Sequence, residues 1–322
     1  MLRAQWLRIL GETGESVQLQ TRAPLHLEAT VRVLQRRASN LVDVWQDDQY
    51  VRVLEVEEGS ILVEVQNRGT IDVPDVRYCI RGGDTSAAVT GTLRRVLGLD
   101  VDPALLHFPV PIDGPLRSAV VALRGLRPPR FANLFESFVN VVPFQQLSLD
   151  AGVSIVGRLV QRFGRRVEHG GRQYHASPTA RVVAAARLDQ LRACGLSQGK
   201  AQTLRNLARM IEARELSEEK ISRMPSQQAL HTLLELPGIG PWSAALVLLR
   251  GFGRLDVFPP GDVGAARGLA PLLQLDPSTS IDRAVERFGD RRGYLYFCGL
   301  GASLLAKGLI RPAAAEQGTR SY

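Results

Sequence analysis

Lysine is almost missing from this chain: Lys200, Lys220 and Lys307 are the only three, so 37 of its 40 cationic side chains are arginines. Chemistry that needs an amine nucleophile therefore has few residues to draw on. Cysteine is equally scarce. Cys79, Cys194 and Cys298 lie far apart, and separated thiols cannot supply the spaced quartet of an iron–sulfur cluster or an all-cysteine zinc site. They read as small buried side chains in a reducing compartment without structural disulfides. No run of about 18 apolar residues occurs, and the opening MLRAQWLRILGETGE is interrupted by Arg3, Arg8 and Glu12 before it forms a signal-peptide core. A cytoplasmic location is expected.

What is present is ordinary globular material with a basic balance. The 322 residues are 45% hydrophobic, enough for two or three modest domains, each with its own core. The formal charge of +8 suits a polyanionic partner such as nucleic acid. A codon bias toward arginine is the alternative source of that charge.

Two textures divide the chain. From Ser16 to about Gly83 the pattern alternates with period two, in SVQLQT, in YVRVLEVEEGSILVEVQNRG with Glu58-Gly59 as its turn, and in VPDVRYCIRG. LHLEATVRVLQRR and residues 85–100 carry helical spacing instead, giving a small antiparallel-sheet α+β domain over residues 1–110. LHFPVPIDGP, with three prolines and a glycine, breaks regular structure and serves as linker. Helical periodicity then recurs at 116–125, 130–142, 145–163, 178–193, 198–213, 226–236, 241–250, 262–273, 280–288 and 293–306. Residues 111–322 are read as an all-helical domain. The arginine-rich stretch RFGRRVEHGGR at 162–172 is either a solvated loop or a DNA contact.

Within the helical part, LELPGIGPW stands out. Pro237 stops one helix, Gly238 and Gly240 permit backbone conformations that a Cβ opposes, and Pro241 suits the first turn of the next helix. Backbone N–H groups at such a turn can converge on an anion. Apolar residues flank it on both sides, with Ile239 between the glycines, which is the pattern of two helices locked around a hairpin. Phosphate binding irrespective of base sequence is the functional reading; a tight structural turn is the other. Downstream, Asp262 follows Phe258-Pro259-Pro260-Gly261 and precedes VGAARGLAPLL, where an N-cap is its plainest role.

Taken together, Gly238-Ile239-Gly240, the apolar helix to Arg250, the turn VFPPG and Asp262 resemble the helix-hairpin-helix DNA glycosylase superfamily, specifically its 3-methyladenine DNA glycosylase II (AlkA-like) branch. RFANLFESFVNVVPFQQLSL resembles the helix pair that opens the family's catalytic domain, and Cys194-Gly195 with Lys200-Ala201 resembles its following helix pair. The strand-rich first 110 residues are similar to the branch's N-terminal domain.

The resemblance implies an enzyme of base-excision repair that flips an alkylated base out of duplex DNA and hydrolyses the bond between base and sugar. Asp262 is implied as the carboxylate that stabilises an oxocarbenium-like transition state. Relatives with added lyase activity carry a lysine just after the hairpin, where this chain has Trp242 and the lysines flanking it in sequence, Lys220 and Lys307, are distant. A monofunctional enzyme that acts as a monomer and leaves an abasic site is expected. Trp242 reads as a wall for the flipped base, through stacking and cation–π terms of about 1–3 kcal/mol, or as core packing. Tyr294 matches an aromatic position of the family, with Tyr296 as its neighbour. Gln145 and Gln146 stand where the family places the wedge that fills the gap left by the extruded nucleotide, Gln145 matching best and Leu147 a further candidate. Arg250 reads as a charge complementing a helix C-terminus. The resemblance also implies a monovalent cation between the hairpin, at Gly238 and Gly240, and a DNA phosphate; no other cofactor is expected.

Three departures from the family bear on substrate. Gly261 replaces a second acid, and Leu246 and Leu300 stand where well-known pockets are aromatic. Hypoxanthine and 8-oxoguanine are the alternative lesions, and a non-enzymatic lesion sensor the alternative function.

Overall fold

A computed structural model describes residues 16–56, 59–82 and 87–313. The Glu58 turn, the opening segment and the start of the helix expected from residue 85 lie outside the described residues.

The first layer is a five-stranded antiparallel sheet in the order β1-β5-β4-β3-β2, made of β1 (Val17–Gln18), β2 (Val44–Gln46), β3 (Gln49–Val56), β4 (Gly59–Asn67) and β5 (Val76–Arg81). In β3 and β4 the register sets Tyr50 opposite Val65 and Val53 opposite Leu62. Alternation then sorts side chains between two faces. Tyr50, Leu54, Ile61, Val63 and Val65 enter one core with helices α1 (Leu27–Gln35) and α2 (Ala87–Val96). Val51, Val53 and Leu62 face the other way and are covered by Tyr174 and Ala176.

That cover corrects the expectation of an all-helical second part. Residues expected to form a loop build a two-stranded hairpin, β6 (Arg166–His169) and β7 (Arg172–His175), with Gly170 and Gly171 both at positive φ in its turn. It packs on the sheet of the first domain, and the Tyr174 hydroxyl accepts from the Gln46 amide at 2.5 Å. Alternation there was masked by charge: Val167 and Tyr174 face the sheet while Arg166, Glu168 and Arg172 face out.

The remaining elements are helices: α3 (Gly114–Ala122), α4 (Leu134–Val139), α5 (Leu149–Phe163), α6 (Ala180–Ala185), α7 (Leu188–Ala193), α8 (Gln198–Glu212), α9 (Glu218–Arg223), α10 (Ser226–Leu234), α11 (Pro241–Phe252), α12 (Val263–Leu269), α13 (Ile281–Val285) and α14 (Arg292–Ala306). The single helix expected at 178–193 divides where Ala186 and Arg187 are extended, and α9 forms where none was expected. Helix α11 is buried from Ser243 to Phe252 and runs through the centre of the helical core. Among the described residues no helix is long and apolar enough to cross a membrane.

Helix α1 joins the two cores. Leu27, Val31 and Leu34 belong to the sheet side, whereas Ala29 and Val33 belong to the helical side, as i, i+4 spacing permits on opposite faces of one helix. The helix ends at Arg36 in a left-handed conformation, φ +60. This turn delivers two arginines, Arg36 and Arg37, to the cleft described next.

Candidate active site

The glycine hairpin is held by contacts that explain each residue type. Gly238 has φ +83, and a Cβ there would sit 2.2 Å from Thr203 Oγ1 on α8. Only glycine fits. Ile239 is buried in the helical core, its N–H donating to Leu236 O at 3.1 Å. Gly240 differs: it caps α11 at φ −93, and a Cβ there would meet open space. Pro237 and Gly238 are exposed at the apex.

Next to the hairpin lies a cleft of about 280 Å³. Larger openings of about 970 Å³ exist elsewhere, so size does not locate the site; the chemistry of the lining does. Trp242, Asp262, Tyr296, Leu300, Phe144 and Arg36 all contribute to its wall.

Asp262 is fixed through both oxygens. Oδ1 accepts from the Ala265 N–H at 2.8 Å, the N-cap bond of α12, and Oδ2 accepts from Trp242 Nε1 at 2.8 Å. Capping and chemistry are therefore compatible at one residue: each oxygen keeps a further lone pair. The approach to Asp262 is held as well. Gly261 takes φ +66, and its N–H donates to both carboxylate oxygens of Asp282 on α13, at 3.2 and 3.1 Å. Asp282 escaped the sequence reading because nothing local marks a carboxylate on a later helix as the holder of an earlier loop.

Trp242 lines the cleft, and its indole N–H also orients the carboxylate. The two tyrosines separate. Tyr296 and Leu300 face the cleft, whereas Tyr294 is buried elsewhere, its hydroxyl donating to Leu126 O at 2.9 Å and its ring 5.7 Å from Phe108. Residues two apart on a helix point about 200° apart. The cleft face of α14 runs through Tyr296, Gly299, Leu300, Ser303, Leu304 and Lys307, a spacing that leaves Tyr294 on the opposite side. Leu246 is also removed from the expected wall: it is 1% exposed within the core, because α11 dives inward after Trp242.

The wedge candidates separate in the same way. Gln145 Nε2 donates to Gly238 O and to Ser243 Oγ, both at 2.9 Å, tying the segment before α5 to the hairpin. Lys200 Nζ fixes the same segment from α8, donating to Pro143 O at 3.1 Å and Gln145 O at 2.6 Å. The exposed tip is formed by Gln146, at φ +56, and by Leu147, which is 45% exposed. Gln145 thus braces the tip that its neighbours occupy.

Cations surround the far wall. Arg36 Nη2 donates to the Tyr296 hydroxyl at 3.0 Å, and its guanidinium lies 5.7 Å from the Phe144 ring. Behind Tyr296, Arg250 is fully buried over Phe131, 4.8 Å from that ring, and burial, with Arg36 next, pushes its guanidinium down to about 9. Neither arginine was expected here: Arg36 ends a helix of the first domain, and Arg250 read as a charge complementing a helix C-terminus. Lys307, distant from the hairpin in sequence, stands exposed on the cleft rim.

Comparison with known proteins matches this architecture part by part. Residues 139–289 match the HhH-GPD superfamily of base excision DNA repair proteins, and residues 16–133 match the AlkA N-terminal domain. DNA-3-methyladenine glycosylase 2 of Escherichia coli is 29% identical over 239 residues, covering 71% of this chain and 78% of its own. A probable bifunctional transcriptional activator/DNA repair enzyme of Mycobacterium tuberculosis is 30% identical over 253 residues, which are 77% of this chain. The chain spans about half the length of that relative, 49%. A similar fold occurs in the 3-methyladenine DNA-glycosylase from Archaeoglobus fulgidus, with a TM-score of 0.72 at 24% identity over 90% of this chain and 99% of that one. With its sheet domain, its helical domain and the hairpin that opens α11, the chain belongs to the HhH-GPD superfamily of base excision DNA repair proteins, in the AlkA-like branch.

Proposed function

We propose that this protein is a monofunctional DNA glycosylase that takes an alkylated base, of the 3-methyladenine or 7-methylguanine type, from double-stranded DNA and hydrolyses its N-glycosidic bond. One observation carries the reading: a carboxylate, Asp262, held by an indole N–H and a backbone N–H in a cleft beside an open glycine hairpin. A protein that only binds DNA has no use for this arrangement, since the negative charge opposes phosphate.

The hairpin N–H groups and the start of α11 receive a phosphate of the damaged strand, with Gly240 leaving room for it. Leu147 and Gln146 enter the gap in the stack. The extruded base lies against Trp242 and Leu300, with its C1′ near Asp262. As the glycosidic bond lengthens, the carboxylate stabilises positive charge on the sugar and orients the attacking water. N3- and N7-alkylpurines are cationic and leave without a donated proton, so one carboxylate suffices. A monovalent cation fits between hairpin and phosphate if it shares carbonyls already in use, since Gly238 O accepts from Gln145 and Gly240 O from Ala244. The enzyme works as a monomer in the cytoplasm, on chromosomal DNA.

The test is single-turnover release of 3-methyladenine and 7-methylguanine from methylated duplex DNA, scored as alkali-labile sites. Asp262→Asn is expected to lower the rate by about 10³-fold, roughly 4 kcal/mol of transition-state stabilisation, with duplex binding retained. Wild-type protein that binds duplex but releases no base overturns the reading. Borohydride trapping of a covalent adduct, lost in Lys307→Gln, would show lyase chemistry instead of simple hydrolysis.

A further inference from the structure

One wall of the cleft that Asp262 lines has a hydrogen-bond polarity. The Tyr296 oxygen accepts from Arg36 Nη2 at 3.0 Å, and both partners line the cleft. Arg36 carries a buried Nε that, among the described residues, meets no acceptor. Arg250 stands close behind Tyr296, its guanidinium near enough to interact with the phenol oxygen as well. A phenol beside two guanidiniums, with a lone pair already engaged by one of them, is polarised to donate its own proton. Among the described residues that proton goes to no acceptor, in contrast to Tyr294, which donates to Leu126 O. At Tyr296 and Arg36 the wall therefore presents donors.

A purine whose C1′ lies at Asp262 directs the edge bearing its 6-substituent away from the carboxylate, into the remainder of the cleft, which Tyr296 and Arg36 line. We propose that Tyr296, positioned by Arg36, reads a carbonyl oxygen at position 6 of the flipped purine, so that the cleft favours 6-oxopurines over 6-aminopurines. The favoured class includes 7-methylguanine and hypoxanthine; 3-methyladenine, whose 6-amino group offers only N–H to a wall of donors, is the disfavoured one. A site built to donate rejects a partner that cannot accept, because the donor is then left buried and unpaired. Tyr296 touches the base, while Arg36 acts through it as a positioning residue. The proposal rests on the glycosylase reading above.

The experiment measures single-turnover release of 7-methylguanine, hypoxanthine and 3-methyladenine, each from the same duplex context, by wild type, Tyr296→Phe and Arg36→Ala. Phe keeps the ring and removes only the donor. Tyr296→Phe is expected to lower release of both 6-oxopurines about tenfold relative to 3-methyladenine, whose release reports that the variant is folded and that Asp262 still acts. Arg36→Ala moves the same ratio in the same direction by a smaller factor, a change that general loosening of the cleft does not produce. If Tyr296→Phe fails to fold, the Arg36→Ala ratio decides alone. An unchanged ratio, or an equal loss for all three bases, overturns the proposal and leaves the glycosylase reading standing. Wild type that releases none of the three removes both.

Discussion

At the seam between sheet and helices, Tyr50, Arg52 and Asp43 turn on one another; at the cleft, Tyr296, Arg36 and Asp262 line an open space. In the seam, Arg52 donates to Asp43 at 2.6 Å and to Glu136, and the Tyr50 hydroxyl donates to the same Asp43 oxygen at 2.7 Å. All four side chains are buried. Burial alone opposes the charge on Arg52, yet Glu136, Tyr50 and Asp43 hold it well above its ordinary range. In the cleft the same residue types keep donors and lone pairs in reserve. The difference teaches where this molecule spends polar groups on rigidity and where it leaves them for recognition.

The comparison is sharpened first at the seam. Arg52→Met strands two buried carboxylates and is expected to cost about 3–5 kcal/mol in denaturant unfolding, while base release per folded molecule stays unchanged. The loss carries a pH signature. Burial, against the pull of Arg52, already raises the Glu136 carboxyl above its ordinary value. An acid with a raised folded pKa is accommodated when protonated and penalised once ionised, so the variant should be closer to wild type at pH 5 than at pH 8. A penalty independent of pH would place the cost in packing instead.

The two hairpin glycines give the next test, because they differ in kind. Gly238→Ala forces φ +83 on a residue with a Cβ 2.2 Å from Thr203 Oγ1, and about 1–2 kcal/mol of stability should be lost from the backbone alone. Thr203→Ala relieves the clash but not the backbone strain. Gly240→Ala meets open space, so its Tm should hold while its duplex affinity falls. Equal affinity in Gly240→Ala would mean that the DNA backbone does not approach there.

The smallest effect concerns the chain's return to the first domain. His26 caps α1, its Nδ1 accepting from Ala29 N–H at 3.3 Å and its Nε2 bonding Arg311 O at 2.8 Å. Burial lowers its pKa below the ordinary 6.5. A base with a lowered folded pKa stabilises the fold above its unfolded value and loses that contribution as pH falls through the range below 6.5. His26→Ala should cost about 1 kcal/mol at pH 8 and flatten part of the acid side of the stability profile. His175, lowered mainly by burial as well, accounts for a share of the remainder.

Much of the fold was legible in the chain because local periodicity and turn chemistry carry it. Alternation in β3 and β4 and the Pro-Gly stop before α11 each act within a few residues. Alternation failed at β6 and β7, where arginines and glutamate fill the outer positions and conceal an inner Val167 and Tyr174. The site divides along the same line. Gly238 and Asp262 were marked by their immediate neighbours, whereas Tyr294 and Tyr296 were both named, since which of two residues two apart faces the cleft depends on which face of α14 the other helices cover.

The sequence by itself determined a two-domain α+β chain with a glycine hairpin and one well-placed carboxylate, since turns, caps and periodic apolar residues are short-range effects. Tertiary structure alone decided that Trp242 clamps Asp262, that Asp282 holds its loop, that Gln145 bonds the hairpin, and that Arg36 crosses from the first domain to Tyr296. Each is a contact between segments distant along the chain, and such contacts exist only once the two cores pack on opposite faces of α1.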